Sequence, residues 1–428
     1  MDLESNKKTQ RSTKQGERTK QKILDATIRI ASTEGHRAAT VARITQETGV
    51  SPSSIYWYFK DKQALVAAAM EHSYRERRTF VPSWKLNRGQ GPRVERLRAN
   101  LARGGNTDIR TAFWRMGVTV AVEASPEVVS LRERFQEMRN HSYQRLYAWW
   151  ADELLLSPLQ GQQREQRVKL LTDLTMALLD GRYISSAIGT QITERVTAMF
   201  ANGLDALAEA GEIPALGWDV TKFEVSNPNA PTSSREVLLH AATTVMARHG
   251  FHASTISRIC KEAKLPPSSL YWKFKDKDAL LASVVEAGND DYAKFRELTA
   301  QRGPSLSVED MTHALADHFY HLEMNPGSTR IGILLALQDG QTGAEGRSEY
   351  SKIRAESAAV LSQAITVQCP AGVTDPTLVK DLARLTMVVS DGLFVGSQLG
   401  ENQGKLHLLA PEIIYVLTNA VHIESGVA

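Results

Sequence analysis

Apolar residues recur every three or four positions along most of the chain, and this spacing predicts a protein that is helical almost throughout. No stretch alternates apolar and polar residues for long enough to predict a β-strand. The expected helices with one apolar face are 128–156, 168–188, 192–210, 308–324, 350–367, 377–399 and 406–423. Prolines and glycines mark the breaks between them. The predicted fold class is therefore all-α.

An internal repeat divides the chain into two halves. Residues 23–65 align with residues 238–280 without a gap, at an offset of 215, and 19 of the 43 positions are identical. A weaker match pairs 175–181 with 386–392. Because the offset is close to half of the 428 residues, we expect two similar modules in series.

Each copy of the repeat contains two short helices joined by a tight turn. Thr40 is a suitable N-cap for the first helix, and Gly49 supplies the turn because glycine adopts left-handed backbone angles without steric cost. Ser51 caps the second helix and Pro52 occupies its first position, where the missing N–H does no harm. This arrangement predicts a helix-turn-helix.

The second helix of each pair presents a polar and aromatic face. Ile55 and Phe59 lie four residues apart and are expected to point inward. The outward face is repeated in both copies: Ser53, Ser54, Tyr56, Trp57 and Lys60 in the first, and Ser268, Ser269, Tyr271, Trp272 and Lys275 in the second. Such a helix fits the major groove of DNA. The alternative is that these aromatic residues belong to the core of an ordinary helical hairpin.

These residues resemble the N-terminal domain of the TetR family of bacterial transcriptional repressors. The resemblance implies base contacts from Pro52, Ser53, Tyr56, Pro267, Ser268 and Tyr271. It implies phosphate contacts from Ser54, Trp57, Lys62, Ser269, Trp272 and Lys277, with Lys60, Lys273 and Lys275 on the same surface. Thr40 and Thr255 would cap the preceding helix and touch the DNA backbone.

The second copy departs from the pattern at the turn. Lys264 replaces the turn glycine and Pro266 replaces Ser51, so we expect slight strain there. The family often has histidine where this chain has Tyr58 and Lys273. The predicted division of the chain is a basic disordered arm (1–17), a first DNA-binding domain (18–65), a first helical regulatory domain (66–210), a linker (211–233), a second DNA-binding domain (234–280) and a second regulatory domain (281–428).

The resemblance also implies how the two modules meet. Members of the family dimerise through their last two long helices, which here are roughly 164–189 with 191–210, and 376–400 with 406–424. The residues expected at this seam are Leu174, Leu178, Gly181 and Ser185, and Leu385, Val389, Gly392 and Gly396. We therefore expect an intramolecular pseudo-dimer, because small residues allow close helix approach. The alternative is that each stripe packs only within its own module.

Aromatic residues of the middle helices are candidates for a ligand pocket. They are Phe113, Trp114, Tyr147, Trp149, Trp150, Phe319 and Tyr320. They could line an apolar site, although such residues more often form the core. His313, Asp317, His318 and His321 share a short segment, but two histidines three residues apart are weak support for a metal site. No metal and no cofactor are predicted.

Charge distribution and cysteine content indicate a binding partner and a cellular compartment. The net charge is only +3, yet residues 1–22 carry seven cations against three anions, which suits contact with nucleic acid. The alternative is that these residues form a solvated, disordered tail. Cys260 and Cys369 form neither a disulfide framework nor a zinc motif, which indicates a reducing, cytoplasmic setting. No membrane span and no secretory signal are predicted.

The sequence thus predicts a DNA-binding transcriptional regulator, a repressor that a small apolar or amphipathic ligand releases from double-stranded operator DNA. A second interpretation is a constitutive DNA-binding protein without ligand sensing. A third is a metal-dependent enzyme that uses His313, His318 and His321. Motifs for nucleophilic, nucleotide-binding or zinc-protease chemistry are missing from the sequence, so the prediction is that the protein is not an enzyme.

Overall fold

A computed structural model of the chain describes residues 2–80, 84–102, 109–190, 192–213, 233–287, 301, 307–337, 343–368 and 375–420. Within these ranges, side chains are described except at 2–13, 76–80, 109–111 and 249–253. Most of the linker expected at 211–233 lies outside the described residues.

The described chain is helical, and no strand occurs in it, which confirms the all-α prediction. The first module contains α1 (Asp2–Glu34), α2 (Val41–Thr48), α3 (Pro52–Tyr58), α4 (Lys62–Phe80), α5 (Arg93–Ala102), α6 (Ile109–Val122), α7 (Val129–Glu153), α8 (Gly161–Ala187) and α9 (Glu194–Glu209). The second module contains α10 (Ser234–Ala253), α11 (Ile256–Ala263), α12 (Pro267–Lys273), α13 (Lys277–Ala287), α14 (Val308–Met324), α15 (Pro326–Leu337), α16 (Ala344–Gln368), α17 (Pro376–Gln398) and α18 (Ala410–Asn419). Short 3-10 turns precede α7 and α18.

The two halves repeat each other far beyond the helix-turn-helix. Helices α7 and α16 begin and end 215 residues apart, the offset that aligns the DNA-binding segments. The end of α8 corresponds to the end of α17 at an offset of 211. The similarity of the modules therefore continues into the regulatory domains, which confirms the tandem organisation.

Helix α1 corrects the expectation for the N-terminal arm. The segment 1–17 was expected to be disordered, but α1 begins at Asp2 and continues to Glu34. The segment holds no proline and a single glycine, Gly16, among lysine, arginine, glutamine and glutamate residues. These straight-chain residues lose little rotamer freedom in a helix, so the helix of the DNA-binding domain extends through them.

The C-terminal helix is shorter than expected. The spacing predicted one helix over 406–423, whereas residues Leu406–Leu409 form a 3-10 turn and α18 runs over Ala410–Asn419. Pro411 explains the change, because proline lacks an N–H and is accommodated only in the first turn of a helix.

Helices α8, α9, α17 and α18 pack together between the modules. Gly181 on α8 lies against the backbone of Val388, and Gly392 on α17 lies against the backbone of Ala177. A Cβ atom at either glycine would overlap the facing carbonyl. The neighbouring stripe is buried, at 1% exposure for Leu178. Leu174, Ser185, Leu385, Val389 and Gly396 are buried as well.

Charged side chains cross the same boundary. Arg195 of α9 lies 2.6 Å from Asp381 of α17 and 3.1 Å from Asp375. Arg139 of α7 pairs with Glu401, in the turn that follows α17. These pairs join residues 180 to 262 positions apart, and they tie the regulatory halves into one body.

Candidate nucleic-acid interface

The helix-turn-helix of the first module has the capping geometry that its sequence predicts. The Thr40 hydroxyl accepts a hydrogen bond from the Arg43 N–H at 3.2 Å, and the Ser51 hydroxyl accepts one from the Ser54 N–H at 3.2 Å. Gly49 between them has a φ of 68°. These side chains satisfy N–H groups that a helix start leaves unpaired, so both short helices have defined beginnings.

The second helix-turn-helix keeps one cap and loses the other. Thr255 accepts from the Arg258 N–H at 3.2 Å, as Thr40 does in the first module. Pro266 stands at the N-cap of α12 without a side-chain cap. Lys264 adopts left-handed angles, with φ 54° and ψ 35°. A side chain at such angles costs free energy that a glycine does not, so the strain expected at this turn is present.

The aromatic residues of α3 and α12 point into solvent. Tyr56 and Tyr271 are 56% and 58% exposed, and Trp57 and Trp272 are 78% and 88% exposed. Each helix is held from behind by a buried apolar residue, as Ile55 shows at 1% exposure. Large aromatic side chains exposed side by side are unusual on a surface without a partner. The alternative that they form the core of a hairpin is wrong.

The polar residues assigned to DNA contact accompany these aromatics. Pro52, Ser53, Lys60, Pro267, Ser268, Lys273 and Lys275 are exposed, and Ser54 and Ser269 are half-buried. Two surfaces of similar composition, each with cations, hydroxyls and stacking groups, suit a duplex that offers phosphates and base edges. The individual contacts stay predictions.

Lys62 and Lys277, assigned to phosphates, are half-buried at the starts of α4 and α13. The Lys62 ammonium donates a hydrogen bond to the Arg37 carbonyl at 2.8 Å. Burial lowers the pKa of Lys62, and the nearby Arg37 lowers it further. Burial also lowers the pKa of Lys277. Lys62 therefore supports the loop before α2 and has donors left for a phosphate.

A buried ionic junction ties the first DNA-binding domain to its regulatory domain. Arg37 donates to the Glu123 carboxylate at 2.8 Å and to Ser125 at 3.1 Å, and lies 3.0 Å from the Glu127 carboxylate. His36 lies 3.5 Å from Glu123. Burial raises the pKa of Glu123, whereas Arg37 opposes that rise. Pattern analysis missed this junction because 86 residues separate Arg37 from Glu123.

The same corner touches the second DNA-binding domain. The Ala124 N–H donates to the carbonyl of Ala247 in α10 at 3.0 Å. Ala187 and Ile188, at the end of α8, also pack against the hydrophobic cluster that the second DNA-binding domain forms with α15 and α16. The corner between α6 and α7 therefore contacts both DNA-binding domains, through two consecutive residues.

The aromatic residues proposed for a ligand pocket are buried or half-buried. Phe113 and Trp114 pack against Phe135, with ring centroids 5.4 Å and 5.8 Å away. Trp150 packs against Trp149, with centroids 4.8 Å apart, and both are fully buried. Phe319 of the second module is also fully buried, and Tyr147 and Tyr320 are half-buried. The fully buried ones belong to one hydrophobic core, and the pocket stays a prediction.

The histidine segment lies in α14. His318 is 5% exposed, and burial lowers its pKa from 6.5 to about 3, with smaller contributions from Arg354 and His321. In the described ranges, no three histidine, cysteine, aspartate or glutamate side chains are grouped so that they could hold a metal ion. His318 is thus a neutral core histidine.

Sequence reasoning also missed a buried ion pair that both modules contain. Arg139 lies 2.6 Å from Asp180 in the first module, and Arg354 donates to Asp391 at 2.8 Å and 2.6 Å in the second. In the first module, Trp114 donates to the same Asp180 carboxylate. The repeat offsets could have revealed the pair, because 215 relates the arginines and 211 relates the aspartates.

Comparison with known proteins identifies the repeated segment. The family model described as "Bacterial regulatory proteins, tetR family" matches residues 23–69 and again residues 238–284. The HTH-type transcriptional regulator BetI of Brucella anthropi is 27% identical over 184 residues, which cover 42% of this chain and 87% of that protein. UidR of Escherichia coli K12, also an HTH-type transcriptional regulator, is 34% identical over 68 residues, which cover 16% of this chain and 34% of UidR.

Among solved structures, the fatty acid degradation regulator FadR from Bacillus halodurans matches 42% of this chain and 94% of its own, with 20% identity and a TM-score of 0.32. Within the described residues, no helix is long and apolar enough to cross a membrane.

Two helix-turn-helix surfaces on an all-helical body define a DNA-binding transcriptional regulator. The chain carries the DNA-binding domain of the TetR family twice. The relatives are regulators and not enzymes.

Proposed function

We propose that this protein is a transcriptional repressor in which one chain does the work of a dimer. The observation that carries the proposal is the pairing of two exposed recognition surfaces with a glycine-lined seam between α8 and α17. An isolated half would expose the apolar side of that seam, which is unfavourable in water. The linker makes the encounter of the halves intramolecular, so assembly does not depend on protein concentration.

Selection of binding sites from a random duplex library with the purified chain tests this function. The expected product is two related half-sites whose centres lie about one helical turn apart, roughly 34–36 Å, or a multiple of that spacing. The half-sites should resemble each other because both recognition helices read Pro-Ser-Ser-x-Tyr-Trp. Failure to enrich any sequence would refute the function, and enrichment of a single half-site would refute the two-headed arrangement.

Release by a small apolar or amphipathic ligand is the second part of the proposal. The corner at Glu123 and Ala124 supports it, because that corner contacts both DNA-binding domains. A ligand that displaces α6 would change the spacing of the recognition helices and favour the state that does not fit the operator. Glu123→Gln, which removes the charge paired with Arg37, should weaken that effect in a screen for compounds that release the operator.

A constitutive DNA-binding protein is the second candidate function. The full burial of Phe113, Trp149 and Trp150 favours it, since these side chains already fill the core. A set of apolar compounds that stabilise the chain against unfolding but leave operator affinity unchanged would support this candidate.

A further inference from the structure

Helix α1 of the first module extends further at its N-terminus than the corresponding helix α10 of the second module. Helix α10 begins at Ser234, which the offset of 215 aligns with Thr19. Helix α1 begins at Asp2 and therefore has 17 more residues at its N-terminus. At about 1.5 Å per residue, the extension is roughly 25 Å long.

The extension is attached to the recognition helix. The Tyr58 hydroxyl, at the end of α3, donates a hydrogen bond to the Gly16 carbonyl at 2.9 Å. An open groove separates Gln15 and Thr19 on α1 from Ser53 and Trp57 on α3. The second module has Lys273 in place of Tyr58, so the hydroxyl that makes this bond is missing there. The C-terminal end of the extension, at Gly16, thus lies beside the surface to which we assign DNA binding.

Three cations of α1 form a stripe along its outer face. Lys14, Arg18 and Lys22 are spaced four residues apart, which places them on one side of a helix. All three are exposed, and none is joined by a hydrogen bond or an ion pair to another residue in the described ranges. In the sequence, Lys7 and Arg11 continue the same helical register.

The second module has no such stripe. The offset of 215 aligns Lys14, Arg18 and Lys22 with uncharged residues, namely Asn229, Ser233 and Val237. A row of unpaired cations next to a DNA-binding surface is complementary to the phosphates of a duplex, because neutralising phosphates releases condensed counterions. The difference between the modules therefore concerns contact with the DNA backbone.

We propose that the basic stripe of α1 binds the sugar-phosphate backbone outside the half-site that α3 reads. The operator then needs more duplex on the side of the first module than on the side of the second. The partner is double-stranded DNA beyond the recognised bases, and its sequence there is not read. This inference rests on the proposed function, since it requires α3 to lie in the groove.

A charge-removal variant tests this contact, and its binding is measured on the duplex that the selection experiment recovers. Lys14→Gln and Arg18→Gln together should reduce the slope of log affinity against log salt by about two, close to 0.9 for each lost phosphate contact. Lys85→Gln with Lys380→Gln is the matched control, because both lysines are exposed residues of the regulatory domains. An unchanged slope in the test variant, or an equal change in the control, would overturn the proposal.

Shortening the operator from each end provides an independent readout. For the wild-type chain, removal of flanking base pairs on the side of the first module should lower affinity roughly tenfold at low salt. Removal of the same number of base pairs on the side of the second module should have little effect. Tyr58→Phe removes the hydroxyl without a change of charge and should reduce this difference. Equal sensitivity at both ends in the wild type would overturn the inference while leaving the proposed function intact. If Tyr56→Ala and Tyr271→Ala bind the operator as tightly as the wild type does, the proposed function itself is refuted.

Discussion

At the scale of single residues, the two recognition helices present nearly equal tyrosines. Tyr56 and Tyr271 differ by two percentage points in exposure, and each follows a buried aliphatic residue that fixes the helix. A tyrosine in this position offers a ring that can contact base edges and a hydroxyl that can donate to them. The two tyrosines are therefore expected to make the same base contacts, each in its own half-site.

Truncation of either tyrosine should affect one half-site only. Tyr56→Ala or Tyr271→Ala should cost about 1–3 kcal/mol on the selected operator, which is typical of one lost base contact. Discrimination should relax only in the half-site read by the altered helix, as measured by titration against operators with substitutions on either side. Tyr56→Phe keeps the ring and serves as the control. Unchanged affinity in both alanine variants would contradict the assignment.

A buried histidine should make stability depend on pH. The pKa of His318 is about 3 in the folded chain and about 6.5 when unfolded, so the unfolded chain binds the additional proton between these values. Stability should rise with pH through this window and fall on acidification. Between pH 6.5 and pH 5, the contribution of His318 should amount to about 2 kcal/mol.

Urea unfolding of the wild type and of His318→Gln at several pH values measures this contribution. The variant should lose less stability than the wild type on acidification, by about the 2 kcal/mol expected for one histidine. His141→Gln is the control because His141 is exposed. Identical pH profiles for the wild type and His318→Gln would show that His318 accepts a proton in the folded chain.

At the scale of elements, the two turns of the helix-turn-helix form a natural comparison. Gly49 and Lys264 both adopt left-handed angles, with φ of 68° and 54°. Gly49→Ala should destabilise the first DNA-binding domain by about 1–2 kcal/mol, the cost of a Cβ at such angles. Lys264→Gly should stabilise the second by at most about 1 kcal/mol, because the greater entropy of glycine in the unfolded chain offsets part of the relieved strain. Thermal unfolding of the full chain measures both, and equal signs for the two changes would contradict the account.

Local chemistry made the short elements predictable. Thr40, Ser51 and Thr255 cap their helices as expected, and helix α14 has the bounds that periodicity predicts. The Arg37–Glu123 junction was not predictable in this way, because it joins segments that only the tertiary fold brings together. The same holds for the bond between Tyr58 and Gly16, which are 42 residues apart.

At the scale of the whole molecule, the seam between α8 and α17 depends on two glycines. Gly181 faces Val388, and Gly392 faces Ala177, at distances that leave no room for a side chain. Each module contributes the same small residue at the same place, although nothing in a single chain requires the halves to stay alike. Close packing of the seam is therefore expected to hold the two DNA-binding domains at a set distance.

Gly181→Ala should destabilise the chain by about 1–3 kcal/mol, the usual cost of overpacking, despite the better helix propensity of alanine. Gly211→Ala is the control because a Cβ at Gly211 meets no atom within 4 Å. Urea unfolding gives the stability change. A Gly181→Ala variant as stable as the control would show that α8 and α17 can move apart at the seam without loss of stability.

The number of chains on a minimal operator is the most direct test of the central claim that one chain acts as a dimer. Sedimentation of the free protein and of its complex with a selected two-half-site duplex should give one chain per duplex. That ratio should persist on dilution, because tethering removes the concentration dependence of assembly. Two chains per duplex, each using only one of its two recognition helices, would contradict the account.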